Sequence, residues 1–294
     1  MLKRFNTDSF VKWALYSTLL ISAFTTIAVV VVIGRESFNF FSQVSIFDFL
    51  TGTQWEPLLE PKSFGVLPLV CGTALVVFGS ALFALPMGLA VAIFLNEFAS
   101  KRLRRIIKPI LEILAGIPTV VFGFFALTFI TPILKTVLPT IQVFNALSGA
   151  IVVGIMILPM IASLTDDALR DLPNTLREGA YALGATHFET ITQVLIPASL
   201  ARIGAVTILA ISRAIGETMA VTLAAGATPN ITLNFSESIQ TLTAYIVQVS
   251  LGDVQQGGVE YLTCYAVGAL LFLMTFTLNV IGHRLISKAR VVQS

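Results

Sequence analysis

Residues 166–200 read DDALRDLPNTLREGAYALGATHFETITQVLIPASL, a charged stretch between two long apolar runs. Pro173 closes off whatever precedes it, and Thr175-Leu-Arg-Glu178 fits a capping box with Thr175 as N-cap and Glu178 three residues on. Gly184 suits a helix C-terminus, where a left-handed residue is common. Thr186-His-Phe-Glu189 is a second capping box directly after it, and Pro197 is expected to close the second helix. The stretch therefore predicts two short helices joined by a tight turn at Gly184. Phe188, Ile191 and Leu195 recur at helical spacing on the second. Exposed apolar residues on a locally stabilised loop fit a docking surface. They fit packing against the ends of the flanking spans equally well, and spacing alone does not choose.

On either side of this loop the chain is apolar. Of its 294 residues, 56% are hydrophobic and 12% charged, against about 25% charged in soluble domains. A soluble enzyme, a disordered chain and a nucleic-acid binder are excluded as starting points, the last because the net charge is only +2. Runs free of Asp, Glu, Lys and Arg cover 13–34, 63–96 (with Pro86 inside), 113–134, 136–165 and 261–282. A helix needs about 20 such residues to cross a bilayer, so each run holds one. A sixth apolar region, 203–228, is interrupted only by Arg213 and Glu217 and counts as a span. The fold class is an all-α integral membrane protein with six transmembrane helices. It forms one six-helix domain over 13–285, with termini at 1–12 and 286–294.

Six spans put both termini on one side, and the basic residues say which. Lys3, Arg4 and Lys12, then Lys101, Arg102, Arg104, Arg105 and Lys108, then Arg170, Arg177 and Arg202, then Arg284, Lys288 and Arg290 fall on that side. Arg35, Lys62 and Lys135 fall on the other. The bias predicts cytoplasmic termini and a cytoplasmic 166–200 loop. The N-terminal run is too long for a typical signal-peptide core and reads as a retained helix. Loop 35–62, with Trp55, Pro57 and Pro61, is expected to form an ordered outer cap. Loop 229–260 places Ile239, Leu242 and Ile246 at helical spacing, which fits a short interfacial or re-entrant helix.

Cys71 and Cys264 lie in apolar runs with no CxxC and no nearby His, so neither a disulfide nor a metal site is expected. Arg213 and Glu217 are four residues apart and would share a helix face. A lone intramembrane charge costs from about 2.5 kcal/mol upward, so such residues pair or face a pathway. One reading is an ion pair that locks helices together. The other is a guanidinium that meets an anion with planar, bidentate donors while Glu217 orients it.

Two resemblances sharpen these readings. Glu178-Gly179-Ala180, Gly184 and Val194-Leu195-Ile196-Pro197 resemble the EAA signature of ABC-importer permeases, E-A-A, three residues, G, nine residues, I-x-L-P. The spacing is intact, and the departures are Gly179 for Ala, Val194 for Ile and Ile196 for Leu. The resemblance implies a type I (MetI-like) importer fold and a coupling helix seated in a cytoplasmic ATPase. The coupling segment would comprise Glu178, Gly179, Ala180, Ala182, Gly184, Ala185, Thr186, Phe188 and Pro197, with the contacts themselves expected from 182–188. Further, Arg213-Ala-Ile-Gly-Glu-Thr-Met-Ala-Val221 resembles the C-type (PstC) permeases of phosphate-specific transport. So do 49–55 (FLTGTQW), 64–68 (FGVLP), 116–123 (GIPTVVFG) and 167–170 (DALR), so that the likeness runs over about 10–285. It implies phosphate import across a bacterial inner membrane, with Arg213 and Glu217 on the pathway.

The chain has no GxxxxGK[ST] and no Gly-Lys dipeptide, so ATP must be hydrolysed elsewhere and no cofactor is expected. The resemblance implies a PstB-type ATPase dimer, a second, PstA-type permease subunit and a PstS-type phosphate-binding protein as partners. An intramembrane enzyme is disfavoured, since no HExxH, GxSxG or nucleophile–base pair emerges. An ion channel is disfavoured by the EAA segment. Sulfate, molybdate or another small oxyanion is the alternative cargo.

Overall fold

Residues 7–252, 254–255 and 257–291 are described in a computed structural model. Lys3 and Arg4 lie outside them. Six helices among the described residues are long and apolar enough to cross a membrane: Val11–Phe41, Leu67–Phe98, Thr119–Val137, Ala146–Arg170, His187–Ile215 and Val259–Arg284. The chain is a multi-pass, all-α membrane protein.

The first span belongs to α1 (Thr7–Phe41). The cap follows as α2 (Ile46–Thr51) and a hairpin of β1 (Trp55–Glu56) and β2 (Ser63–Phe64), with Trp55 opposite Phe64. Phe40, Phe49, Trp55 and Tyr245 are buried together in edge-on ring contacts, which makes loop 35–62 an ordered cap. Lys62 pairs with Glu260 and ties the cap to the last span; that hydrogen bond raises the lysine above its ordinary range.

Helix α3 (Leu67–Ile93) continues through a π-helical turn, Phe94–Phe98. Next is α4 (Lys101–Ala115), a surface helix where a basic loop was expected. Span three is built from α5 (Thr119–Phe125), a π turn (Ala126–Ile130) and α6 (Thr131–Val137). Helix α7 (Ala146–Arg170) is the buried centre, and its main neighbour is α3. Small residues let the two approach: a Cβ on Gly88 would stand 2.6 Å from Ile161 Cγ2.

After α7 come α8 (Asn174–Ala182), α9 (His187–Glu189), a π turn (Thr190–Leu195) and α10 (Ile196–Ile215). The last three are α11 (Met219–Ala225), α12 (Leu242–Leu251) and α13 (Val259–Val291), which packs on α1, α10 and α12. The helix of α13 runs to Val291, through most of the segment expected as a separate tail.

Two expectations change here. Pro197 does not close the second loop helix. It stands in the first turn of α10, where its missing N–H costs little, and the widened turn before it carries the helix straight into the membrane. The fifth span therefore starts at His187 rather than near 203. Nor does it reach 228: Gly216 caps α10, and α11 is a separate short helix.

Beyond α11, Gly226 adopts φ +97°, and residues 227–241 fold back into the bundle as an irregular segment with a turn at 235–237. The α7 N-terminus is paired by it: Ala146 N–H donates to Glu237 O at 3.0 Å and Leu147 N–H to Phe235 O at 2.9 Å. Asn230 and Asn234 both donate to the Glu237 carboxylate. Thr241 then caps α12, a short apolar helix within 229–260.

Candidate functional site

Two places carry the residues singled out by sequence. The first is the turn between α8 and α9. Gly184 has φ +85°, a conformation that a Cβ disfavours. Gly184 N–H donates to Tyr181 O and Ala185 N–H to Ala180 O, the paired bonds of a Schellman motif. The Thr186–Glu189 capping box forms in both directions: Glu189 N–H donates to Thr186 Oγ1 at 3.3 Å and Thr186 N–H to Glu189 Oε2 at 2.8 Å. The first expected box does not form. Helix α8 begins at Asn174, with Pro173 in the N-cap place and no side-chain bond.

This rigid turn points apolar groups away from the bundle. Leu183 is 91% exposed and Phe188 72%, with Tyr181 and Ala182 exposed beside them. Leu183 falls within the 182–188 stretch expected to make the contacts, and stands just before the left-handed Gly184. Glu178, Gly179, Ala182, Gly184 and Thr186 share the exposed side, Ala185 is half-buried, and Ala180 is buried and seats the helix. Pro197 stands apart, further along the continuous helix. The stripe of Phe188, Ile191 and Leu195 splits: Ile191 and Leu195 are buried with Leu169, because the π turn changes the register.

A charge network fixes this turn to the bundle. Arg177 on α8 donates from Nη2 to Glu97 Oε1 at 2.8 Å and to Asn96 Oδ1 at 3.0 Å. His187 Nε2 lies 3.5 Å from Glu97 Oε2, and its ring packs on Phe98. Asn96 donates to Asp166, which is paired with Arg104, while Lys108 meets Asp167 at 2.8 Å. Glu97, at the end of the second span, thus holds both arms of the loop. Sequence reading missed it because its partners are 80 and 90 residues away.

The second place is the break at residues 216–218. Arg213 and Glu217 do not share a helix face, since Gly216 ends α10 between them. Nor do they pair. Glu217 is 8% exposed and its Oε1 accepts the Ala220 amide at 3.1 Å, so the carboxylate caps α11. Its backbone carbonyl accepts the Thr243 hydroxyl at 2.6 Å, which fastens the break to the start of α12. Arg213 is exposed and makes no hydrogen bond or ion pair among the described residues. Arg202, lower on the same helix, pairs with Asp171 at 3.0 Å just beyond α7. Eleven residues of helix place Arg213 roughly 16 Å further along, two residues before the span ends at Ile215. The arrangement offers a guanidinium whose planar donors are unused among the described residues, on the helix that ends at the break where Glu217 is buried.

Comparisons with known proteins agree with this architecture. The family described as binding-protein-dependent transport system inner membrane component matches residues 84–291. The chain is 36% identical to the probable ABC transporter permease protein YqgH of Bacillus subtilis, over 92% of this chain and 88% of that one. It is 33% identical to the phosphate transport system permease protein PstC of Mesorhizobium japonicum, over 82% and 79%. Among solved structures, an inward-facing MetNI methionine ABC transporter aligns with a TM-score of 0.60 at 20% identity, covering 76% of this chain and 95% of that one. That last likeness speaks for the fold alone.

Proposed function

Because the chain belongs to the family of binding-protein-dependent transport system inner membrane components, we propose that its cargo is inorganic phosphate and that Arg213 lies on the cargo's path. The chain is a transport subunit and not an enzyme; hydrolysis of ATP belongs to a partner. One observation carries the pathway reading. A guanidinium on the fifth span, exposed and with no hydrogen bond or ion pair among the described residues, is too costly to leave in hydrocarbon. Its face must be covered by water or by another subunit. The PstC-named relatives, at 30–33% identity over most of the chain, support phosphate as the anion.

The rest follows as one scheme. A second, PstA-type permease covers the Arg213 face, and the pathway runs between the two bundles. A PstS-type protein delivers phosphate at the outer cap. A PstB-type ATPase dimer receives the turn carrying Leu183 and Phe188. Closure of that dimer pulls the turn, and through Arg177 and Glu97 the second span, so that the pathway opens alternately to either side. Glu217 keeps the break rigid, which holds Arg213 at a fixed depth.

The direct test is uptake of labelled phosphate into cells that lack their own transporter, with the four subunits expressed together. Phosphate should accumulate and labelled sulfate should not. Sulfate accumulation with no phosphate uptake would move the cargo to the other oxyanion.

The assignment of sides rests on the basic-residue bias, and exposed Thr53 in the cap tests it. With Cys71 and Cys264 replaced by Ala, Thr53→Cys should react with a membrane-impermeant maleimide in intact cells. Reaction only after the membrane is broken would invert the topology and put 166–200 outside.

A further inference from the structure

Helix α4 has a face that neither the bundle nor the coupling turn uses. Ser100 caps it, accepting the Leu103 amide at 3.2 Å. Its inner side is committed: Leu111 is buried against Leu95 and Ala162, and Arg104 and Lys108 meet Asp166 and Asp167. On the outer side Leu103, Ile106, Ile110 and Ile113 are exposed. Steps of three, four and three residues align them in one stripe. Lys101, Arg102 and Arg105 flank it, exposed and without an ion pair among the described residues.

The helix is too short and too charged to cross a bilayer. It joins the ends of spans Leu67–Phe98 and Thr119–Val137, so it sits at the membrane surface. We propose that α4 lies in the plane of that surface and docks on anionic phospholipid, with the Leu/Ile stripe at the acyl boundary and Lys101, Arg102 and Arg105 on headgroup phosphates. Charge complementarity selects this occupant. Three unpaired cations beside an apolar stripe match an anionic interface, and long basic side chains reach headgroups while their stems stay apolar. The inner face meanwhile anchors α4 to the end of α7, which holds it at this level. The inference stands on the membrane helices and needs neither the phosphate reading nor the assignment of sides.

The experiment uses the assembled transporter, reconstituted with lipids brominated near the headgroup end of the acyl chain. Ile110→Trp adds one fluorophore to the stripe, read as the difference from the parent complex. Both brominated phosphatidylglycerol and brominated phosphatidylcholine should quench it. Phosphatidylglycerol should do so at roughly one-fifth of the mole fraction, the effect of one basic residue fully engaged with headgroups. Lys101→Gln, Arg102→Gln and Arg105→Gln together should erase that preference and leave the quenching. Ile106→Trp, on the same stripe, serves if the first variant assembles poorly. Emission indifferent to both lipids would place a protein on the stripe and overturn the proposal. Equal quenching by the two lipids with all three cations present would overturn it as well.

Discussion

Arg213→Gln is expected to abolish phosphate uptake, by a factor of 100 or so, while the subunit inserts and assembles as before. The separation of the two outcomes comes from the structure. Arg213 makes no hydrogen bond or ion pair among the described residues, so its removal leaves no buried group among them unsatisfied. On the proposed pathway, what it removes is a set of donors for an anion that must leave water. Charge-assisted hydrogen bonds contribute about 1.5–3 kcal/mol each, and two of them cover the expected loss. Arg213→Lys keeps the charge but not the planar fork, so uptake should fall about tenfold rather than vanish. Glu217 behaves differently. Glu217→Gln keeps an oxygen for the Ala220 amide, so α11 should stay capped and uptake should change little. Glu217→Ala leaves that amide unpaired and should destabilise the break by about 1–3 kcal/mol. The measurements are initial rates of phosphate uptake and the yield of the purified complex. If Arg213→Gln lowered the yield and not the rate per complex, Arg213 would be a salt bridge to the second permease and no part of the path.

How far these features could be read from sequence depends on the range of the interactions that make them. The six spans were legible, because a stretch such as 261–282 states its own solvent. The Gly184 turn was legible too: Gly184, Thr186 and Glu189 lie within six residues and their bonds are local. The π turns at Phe94–Phe98, Ala126–Ile130 and Thr190–Leu195 were not, since nothing in their composition separates them from α-helix. One of them lets the helix pass Pro197, which the sequence alone marked as an end. At Arg213 and Glu217 the four-residue spacing implied a shared face. Gly216 was the competing signal, and tertiary contacts decided for it: the Thr243 hydroxyl on the Glu217 carbonyl fixes a break there. Helix α4 was hidden behind its own charges, which were read for sidedness while the spacing of Leu103, Ile106, Ile110 and Ile113 went unused. The Glu97 cluster was illegible in principle, because a buried carboxylate declares its partners only once the chain is folded.

That cluster sets the second large effect. Arg177→Met should cut both complex yield and uptake, because the 7%-exposed Glu97 side chain would keep its charge with only His187 at 3.5 Å to answer it. Breaking a buried pair from one side costs roughly 3–5 kcal/mol, a large share of the stability of any domain. Loss of yield alone would not separate a brace from a relay, and the double variant does. With Glu97→Gln and Arg177→Gln together no buried charge is stranded, so the bundle should fold and the complex should purify. The exposed turn would remain intact, since the Gly184 and Thr186–Glu189 bonds do not involve either residue. The ATPase should therefore still bind and hydrolyse ATP. What would be gone is the charged link between α8 and the end of the second span. Phosphate moved per ATP hydrolysed should then drop at least about tenfold, the equilibrium effect of losing roughly 1.4 kcal/mol of coupling between the two sites. The ratio of phosphate transported to ATP consumed, in sealed vesicles, is the readout. A double variant that keeps the parental ratio would show that the Glu97–Arg177 pair only braces the loop, and that force reaches the membrane by the helix continuous from His187 to Ile215 instead.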